Sequence, residues 1–424
     1  MPPASERRPR RGTDPHDVAF REVQRLYAKA GEALGVLTVT QIQSTFSVAF
    51  RRALEDRDYE KVMEECEKSV AMLDEMIKEH ASAEDNRRMH GRWTVTGPLL
   101  SPGPKGWFDE VAVKDPSLVY FKGKYHVFYT SKPRKGKSPH QTSLGYVSAP
   151  ALEDLHKAPR VKLKDVVGDD VIAVQVFYFE PQGLWYLVGH VSLGKPHLLQ
   201  PVYLTNPDIE NVDGWSKPKP LLGERAGSNP FWIDFWVICD QKKAHLFYTD
   251  HIDSMFRIET ALDDFPEGFK KGKEQLAVSA QGADNMGRWH LHEASHIYRV
   301  KKDGRYLALL EGAYAHPTRR NYWDSRNRFM FAMVADRLEG PWERIEDKEN
   351  QFLADAPQLL KPDGTRPALH QVSHPELIRS GYNQRLEIDD YRFKIVFQAF
   401  DASNTPDNFD YDLLPWALWL GRNY

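Results

Sequence analysis

The sequence predicts a mainly β protein, a five-bladed β-propeller with a small N-terminal α-helical domain. Five times after residue 93, a polar residue opens an apolar strand that a tight turn folds back into a second, aromatic-rich strand. A further β-rich segment follows each of the first four hairpins, and a repeated four-stranded unit is typical of propellers. Before residue 93, apolar residues recur instead at the three- and four-residue steps of amphipathic helices.

The composition bounds the class of the protein. The chain has 424 residues, of which 41% are hydrophobic, so it can form a sizeable core and two domains. Its net charge of -3, with interspersed signs, argues against nucleic acid or a membrane surface as a partner. No run of about 18 apolar residues is present, so we expect no membrane span. Because Cys66 and Cys239 are the only cysteines, a disulfide framework is excluded.

The chain before the propeller has three parts. Residues 1–15, rich in Arg and Pro, are expected to be a disordered basic tail. Three amphipathic patterns in residues 16–81 predict a helical domain of unknown role, and the second pattern runs from Ile42 to Leu54. Residues 82–92 are polar and form the expected linker. A helical unit this small needs a neighbouring surface, so we expect it to contact the propeller or to mediate self-association.

The propeller is predicted to fill residues 93–424. Its last strand, near Trp416, is expected to close the ring by pairing with early strand residues. The residues that open the five repeats are Asp115, Gln175, Asp234, Glu293 and His374. Because the innermost strands of a propeller line one axis, these five polar residues are expected to meet in one ring.

Three of these residues are carboxylic acids, and gathering them costs free energy unless the protein uses them. Asp115 precedes Pro116, so it is either a turn residue or a member of an acidic site. Asp234 lies between bulky apolar neighbours and therefore needs a partner or a proton; capping of backbone amides is the structural alternative. Glu293 lies between His292 and His296, but this spacing on a strand does not form a zinc-binding helix.

Paired carboxylates of this kind suit the hydrolysis of a glycosidic bond. One acid protonates the leaving oxygen, and a second acts as nucleophile or as base on a water molecule. Two carboxylates about 5 Å apart at an effective dielectric constant near 20 repel by roughly 3 kcal/mol, or about two pKa units. One of them then holds its proton at neutral pH without the help of a metal.

Four further residues are candidates for binding, each with a second interpretation. His374 binds a divalent cation, positions a substrate or only forms hydrogen bonds in the channel. Gln175 holds a sugar hydroxyl or pairs with backbone groups. Lys114 is a hydroxyl donor or a surface charge, and Tyr411 points into the pocket or packs in the core.

At these motifs the chain resembles glycoside hydrolase family 62, the α-L-arabinofuranosidases that release arabinose side chains from xylan. The similarity runs in order from Trp93 to Tyr424 and leaves the helical domain outside. The strings that carry it are WTVTGPLLSP, KDPSLVYFKGKYHVF, QVFYFEPQGLWYL, TNPDIENVDGWS, WIDFWVICD, HEASHIYRV, SHPELIRSGYNQ and YDLLPWALWLG.

The resemblance implies an inverting mechanism on a five-bladed propeller. It assigns Asp115 as general base, Glu293 as general acid and Asp234 as the third acid, which sets the pKa and orientation of the donor. It also places one structural calcium ion near His374 and implies no organic cofactor. Lys114, Gln175 and Tyr411 fall, with His374, at positions that resemble contacts of the arabinose pocket.

The resemblance further implies an arabinoxylan-like hemicellulose as partner. The alternatives are a related propeller glycosidase acting on another furanoside or xyloside, and a non-catalytic carbohydrate-binding propeller. Two departures lie near the expected site: His292 replaces an aromatic residue, and FMFAMV follows Arg328 in place of an aromatic-Arg-Ser-Trp run. The family implies secretion, whereas no signal peptide is visible, so a cytoplasmic location is the alternative.

Overall fold

The computed structural model describes most of the chain in stretches separated by gaps. The described residues are 15–33, 46–82, 93–134, 142–192, 199–223, 232–250, 253–279, 289–315, 323–344, 359–401, 403 and 413–423. The chain divides into two compact units, residues 1–89 and 90–424. None of the helices within these stretches combines the length and apolar character needed to cross a membrane.

The first unit contains three α-helices in its described residues: α1 (Pro15–Ala33), α2 (Val48–Asp56) and α3 (Tyr59–Ser82). Their apolar stripes meet in one core. The larger buried side chains of this core are Leu26, Phe50, Val62, Cys66 and Leu73. The prediction of an N-terminal helical region is confirmed, because the three- and four-residue spacing places these side chains on facing surfaces.

The second helix begins later than the apolar pattern predicts. The Ser47 side chain accepts a 2.9 Å hydrogen bond from the Phe50 amide, which defines Val48 as the first helical residue. Arg57 ends the helix with a left-handed φ of 56°. Ile42, where the predicted pattern starts, lies outside the described residues.

The described strands of the second unit form five sheets, which are the blades of the propeller. Strand β1 (Trp93–Leu100) begins the unit and belongs to the last blade. Blade 1 contains β2 (Ala112–Phe121), β3 (Lys124–Lys132), β4 (Ser143–Ala149) and β5 (Arg160–Lys162). Blade 2 contains β6 (Ile172–Phe179), β7 (Leu184–Ser192), β8 (Leu199–Asn206) and β9 (Lys219–Pro220). Blade 3 contains β10 (Ile233–Cys239), β11 (Lys243–Thr249), β12 (Ser254–Ala261) and β13 (Gln275–Ser279).

The last two blades each include strands that are not consecutive in the sequence. Blade 4 contains β14 (Trp289–Val300), β15 (Tyr306–Ala315), β16 (Trp323–Ala335) and β17 (Glu343–Arg344). The chain then supplies β18 (Leu359–Leu360), β19 (Ser373–Leu377), β20 (Glu387–Ile388), β21 (Lys394–Ala399) and β22 (Ala417–Arg422). Blade 5 has the order β19, β21, β22, β1, β18, while β20 pairs with β14 in blade 4.

Short helical turns connect some of these strands. One α-helical turn, α4 (Lys164–Val167), follows β5. The 3₁₀ turns of the described residues are Leu152–Lys157, Glu180–Gln182, Val212–Gly214, Leu262–Asp264 and Glu267–Lys270.

The ring is closed by the two ends of the second unit. Strand β22 pairs antiparallel with β1 on one side, with Val95 opposite Gly421, and with β21 on the other. The Trp93 ring also stacks on Phe393 with centroids 6.5 Å apart. The prediction that the last strand pairs with early strand residues is therefore confirmed.

The innermost strand of each blade carries one non-glycine residue with a positive φ. These residues are Asp115, Ala173, Asp234, Ala294 and His374, with φ between 45° and 56°. The strand pairing shifts register at or beside each of them. They are the equivalent positions of the five blades, and left-handed backbone at non-glycine residues often marks functional sites.

Three of the five predicted opening residues, Asp115, Asp234 and His374, share this equivalent position. Gln175 lies two residues after its own bulge, and Glu293 lies one residue before its bulge. Glu293 nevertheless reaches the cluster of Asp234 and His374, as the ring prediction expects.

Two residues after each bulge, a second ring of side chains links neighbouring blades. We call it the linking ring; its members are Ser117, Gln175, Trp236, His296 and Glu376. Ser117 Oγ accepts a hydrogen bond from the Val176 amide at 3.0 Å, Trp236 Nε1 donates to Ile297 O at 2.9 Å, and His296 Nδ1 lies 2.6 Å from Pro375 O. Each contact joins one inner strand to the next around the axis.

The last link passes through Arg379. Its Nη2 lies 3.3 Å from Glu376 Oε1 and donates to Leu118 O at 2.7 Å and Val176 O at 2.9 Å. Burial raises the pKa of Glu376 to about 8, and Arg379 opposes this rise. Arg379 thus connects blade 5 with the inner strands of blades 1 and 2.

Candidate active site

Three acids from three blades come together around His374. His374 Nδ1 lies 3.6 Å from Asp115 Oδ1 and 3.7 Å from Asp234 Oδ2. Polar atoms of Asp234, Glu293 and His374 lie within 4.8 Å of one another. The side chains of the three acids keep exposed fractions of 11%, 3% and 15%, in chain order, so the site retains limited access to solvent.

Backbone contacts hold Asp115 and Asp234 in place. The Asp115 amide donates to Gln398 Oε1 at 2.6 Å, which ties blade 1 to blade 5. Asp234 Oδ2 accepts from the Ala294 amide at 2.8 Å, and Ser295 Oγ donates to Asp234 O at 2.7 Å. Asp234 therefore both caps a backbone amide and faces the acidic site, which joins the two alternatives considered for it.

The electrostatic surroundings shift the pKa values of Asp115 and Asp234 in opposite directions. Burial raises the pKa of Asp115, but Lys114, His374 and Thr130 together outweigh burial and hold the pKa below its ordinary value. Burial, with the nearby charges of Glu293 and Asp115, raises the pKa of Asp234 to about 6. Different environments thus give neighbouring carboxyl groups different protonation tendencies.

His374 responds to the same charges. Burial alone lowers the pKa of this imidazole, but the carboxylates of Asp234, Asp115, Glu311 and Glu293 outweigh burial and raise it. His374 lies between Asp115 and Asp234, and their charges favour its protonated form.

Glu293 contacts a buried ion-pair network that the sequence did not predict. Arg328 Nη1 donates to Glu293 Oε2 and to Glu311 Oε1, each at 2.9 Å. Glu311 is fully buried, and its Oε2 accepts from the His374 amide at 2.6 Å. Burial raises the pKa of Glu311 against the opposing charge of Arg328. The available signal was an acidic residue at the end of the apolar run YLALL, where a lone charge is costly.

His292 is the second contact of Glu293 that the sequence analysis did not assign. Its Nε2 lies 3.4 Å from Glu293 Oε1, and its side chain is 3% exposed. The departure from an aromatic residue at this position was visible in the sequence, but its proximity to the carboxyl group was not.

The candidate binding residues have different surroundings. Lys114 precedes Asp115, and its Nζ lies 5.8 Å from the centre of the Trp416 ring. Gln175 is buried, and its amide both donates to Val237 O and accepts from the Val237 amide at 2.7 Å. Backbone pairing is therefore the alternative that the contacts of Gln175 support. Tyr411 lies outside the described residues.

Buried clusters of acidic and histidine side chains offer atoms that can hold a metal ion. Asp234, Glu293 and His374 supply two carboxyl groups and one imidazole. A calcium ion takes roughly six to eight oxygen ligands, some of them from water, so the two carboxyl groups can supply part of such a shell. His374 Nδ1 faces Asp115 and Asp234, whose charges raise its pKa.

The model of glycosyl hydrolase family 62 matches residues 92–420. The chain belongs to this family. The earlier resemblance is thereby confirmed, and the match covers the propeller without the helices. A solved structure of this family aligns with the five-bladed propeller of this chain, so the predicted fold class is confirmed as well.

Among the relatives of this family 62 chain is alpha-L-arabinofuranosidase C of Cellvibrio japonicus (strain Ueda107). It is 28% identical over 331 residues, which are 78% of this chain and 47% of that protein. The chain thus spans about half the length of the curated relative it matches.

Two solved structures of family 62 are similar over nearly their whole length. The catalytic domain of the Coprinopsis cinerea α-L-arabinofuranosidase is 30% identical, with 78% of this chain and 97% of that chain covered and a TM-score of 0.65. A family 62 hydrolase in complex with xylotriose is 27% identical, with 80% and 99% covered and a TM-score of 0.64.

Proposed function

We propose that this family 62 chain is an α-L-arabinofuranosidase that releases terminal arabinofuranosyl side chains from an arabinoxylan-like polysaccharide with inversion. The observation that carries the proposal is the convergence of Asp115, Asp234 and Glu293, from three blades, around His374. The surroundings lower the pKa of Asp115 and raise the pKa of Asp234 to about 6. An inverting glycosidase needs one carboxylate base and one protonated donor.

Asp115 is assigned as the general base. Its lowered pKa keeps a carboxylate available at neutral pH, and its side chain on strand β2 is 11% exposed. That carboxylate takes a proton from the water molecule that attacks the anomeric carbon. Lys114 and His374 stabilise the charged form before the reaction and orient it.

Glu293 is assigned as the general acid. Of the three acids it has the most exposed side chain, which suits a donor that must reach the leaving oxygen. Asp234 adds negative charge beside Glu293 and fixes the amide that follows it, so it favours the protonated donor and its orientation. Arg328 contacts one oxygen of Glu293, and Glu311 compensates its charge.

The substrate class rests on the family 62 relatives. One similar structure was solved with xylotriose, and the similar Coprinopsis cinerea and Cellvibrio japonicus proteins are α-L-arabinofuranosidases. The proposed partner of this chain is therefore a xylan backbone that carries arabinose. A structural calcium ion near His374 stays an expectation of the family resemblance; metal analysis of the purified protein tests it, and the absence of a bound ion contradicts it.

The experiment is incubation with arabinoxylan, followed by proton NMR from the first minutes. The proposal expects β-L-arabinofuranose as the first anomer, and an α-anomer as first product overturns the inverting mechanism. Asp115→Asn and Glu293→Gln are expected to lose roughly 10²-fold or more in turnover. Tight binding of arabinoxylan by the wild-type chain without release of arabinose supports the carbohydrate-binding alternative instead.

A further inference from the structure

Three side chains near the N-terminal end of strand β14 form a row of polar contacts that leads to Glu293. His290 Nε2 lies 3.3 Å from His292 Nδ1, and His292 Nε2 lies 3.4 Å from Glu293 Oε1. His292 is buried, whereas His290 is partly exposed. The row therefore runs from solvent through two imidazole rings to one oxygen of the assigned general acid.

Arg328 determines which oxygen of Glu293 carries a proton. Its Nη1 donates to Oε2 at 2.9 Å. A guanidinium group has no acceptor and does not release its protons, so Oε2 must be the accepting oxygen. The transferable proton of Glu293 then lies on Oε1, the oxygen that faces His292 Nε2.

The other charged groups around Glu293 contact Oε2 or have partners of their own. From the neighbouring inner strands and from blade 4, the groups that face it are Asp115, Asp234, Glu311, Arg328 and His374. Glu311 accepts from Arg328 and from the His374 amide, and the His374 ring faces the two aspartates. His292 places its titratable Nε2 3.4 Å from Oε1.

A guanidinium group, rather than a metal ion, accounts for the positive charge beside the two glutamates near His292. His292, Glu293 and Glu311 bring potential ligand atoms within 4.8 Å of one another. Arg328 Nη1, however, contacts both glutamates at 2.9 Å, so a guanidinium group already provides the positive charge between them. His292 Nε2 lies beside Oε1 of Glu293, whereas this guanidinium group donates to Oε2.

We propose that His292, together with His290, returns a proton to Glu293 Oε1 after each turnover. This inference rests on the proposed function of Glu293. Oε1 gives its proton to the leaving oxygen. The Oε1 carboxylate then takes the proton of His292 Nε2, His292 Nδ1 takes the proton of His290 Nε2, and the other ring nitrogen of His290 takes one from water. Asp115 releases the proton of the attacking water to solvent, so hydrolysis gains and loses none.

The test compares leaving groups. A 4-nitrophenyl leaving group departs with little help from an acid, whereas an arabinoxylan oligosaccharide needs protonation. His292→Phe carries the aromatic residue that the resemblance predicts, and His292→Gln keeps a polar group without titration. Both variants are expected to lose roughly tenfold in kcat on the oligosaccharide and to change by less than about twofold on 4-nitrophenyl α-L-arabinofuranoside. Added imidazole is expected to restore part of the loss.

The control is His156→Gln, since His156 is exposed in the 3₁₀ turn Leu152–Lys157. Equal losses on both substrates in both His292 variants, or wild-type kcat of His292→Gln on the oligosaccharide, overturn the inference. Glu293→Gln separates the two levels. If its loss does not depend on the leaving group, the proposed function of Glu293 fails; if it does and the His292 variants show no dependence, the inference alone fails.

Discussion

Asp234 Oδ2 accepts a 2.8 Å hydrogen bond from the main-chain amide of Ala294. Ala294 follows Glu293 directly, and Ser295 Oγ adds a second bond to Asp234 O at 2.7 Å. These bonds join the inner strands of blades 3 and 4 at the residues that carry the assigned general acid. A change at Asp234 therefore alters the backbone position of Glu293 as well as the charge of the site.

Asp234→Asn is expected to lower activity and raise stability. Asparagine keeps an oxygen for the Ala294 amide but removes a buried negative charge. The pKa of Asp234 is raised from an ordinary value of 3.8 to about 6. Two pKa units correspond to about 3 kcal/mol, which is the upper limit of the gain in unfolding free energy. Turnover is expected to fall roughly 10²-fold, because the donor loses its charged neighbour.

The sign of the stability effect follows from the raised pKa. Well below pH 3.8 Asp234 is protonated in both the folded and the unfolded chain and does not affect stability. As the pH rises from 3.8 to about 6, the unfolded carboxyl group ionises while the folded one resists ionisation, so the wild type loses stability, and the loss levels off above pH 6. Denaturant titrations of wild type and variant at pH 4 and pH 8 measure this, and an equal difference at both values contradicts it.

Lys114→Met is expected to move the acid limb of the kcat/KM profile to higher pH. After burial, Lys114 is the group with the largest effect on the pKa of Asp115, and it lowers that pKa. Without it, the base protonates at a higher pH and activity is lost earlier on acidification. Lys124→Met, at the exposed start of β3, is the control. An unchanged limb with a raised KM assigns Lys114 to substrate binding instead.

Arg328→Met is expected to destabilise the propeller by roughly 3–5 kcal/mol, because Glu311 then remains buried without its counter-charge. The double variant Glu311→Gln with Arg328→Met removes both charges and is expected to be more stable than the single variant. A double-mutant cycle in denaturant measures this coupling. Equal unfolding free energies of the single and double variants contradict a compensated pair.

Gln175→Ala is expected to lower the free energy of unfolding by about 2–4 kcal/mol, since the main-chain amide and carbonyl of Val237 both lose a buried partner. Its KM is expected to stay close to the wild-type value. Gln241→Ala removes an exposed amide from the β10–β11 turn and serves as the control. A large rise in KM without a loss of stability supports a sugar contact for Gln175.

The repeat pattern predicts the fold because the hydrophobic alternation and turn residues of each hairpin are local properties of the sequence. The hairpin from Asp115 to Thr130 and its later equivalents appear as β2–β3, β6–β7, β10–β11 and β14–β15. In blade 5 the second strand, β21, is separated from β19 by β20, which pairs with blade 4 instead. Local patterns do not encode that exchange.

The residues that occupy the bulge positions of the inner strands were harder to predict than the fold. The bulge positions hold Asp115, Ala173, Asp234, Ala294 and His374, so neither glycine nor one polar residue type marks them. Polar character alone therefore does not distinguish Gln175 and Glu293, which lie beside the bulges, from Asp115, Asp234 and His374, which lie at them. The position of a bulge depends on pairing with a neighbouring strand, which lies outside the local sequence.

The partners of Glu293 were missed for a related reason. Arg328 and Glu311 belong to β16 and β15, and they meet Glu293 only through the register of the sheet. His292 lies beside Glu293 in sequence, yet strand geometry predicts that adjacent side chains point to opposite faces. The register shift between Leu291 and Glu293 breaks that alternation and brings the two side chains together.

Strand β22 also sets the order of events during synthesis. Residues 417–422 fill the gap between β21 and β1, so the toroid is incomplete until they leave the ribosome. A chain that stops earlier has all the acids of the site but leaves two unpaired strand edges, which favour aggregation. Because β22 completes the ring that holds these acids in register, products that end before residue 417 are expected to be inactive and prone to aggregate.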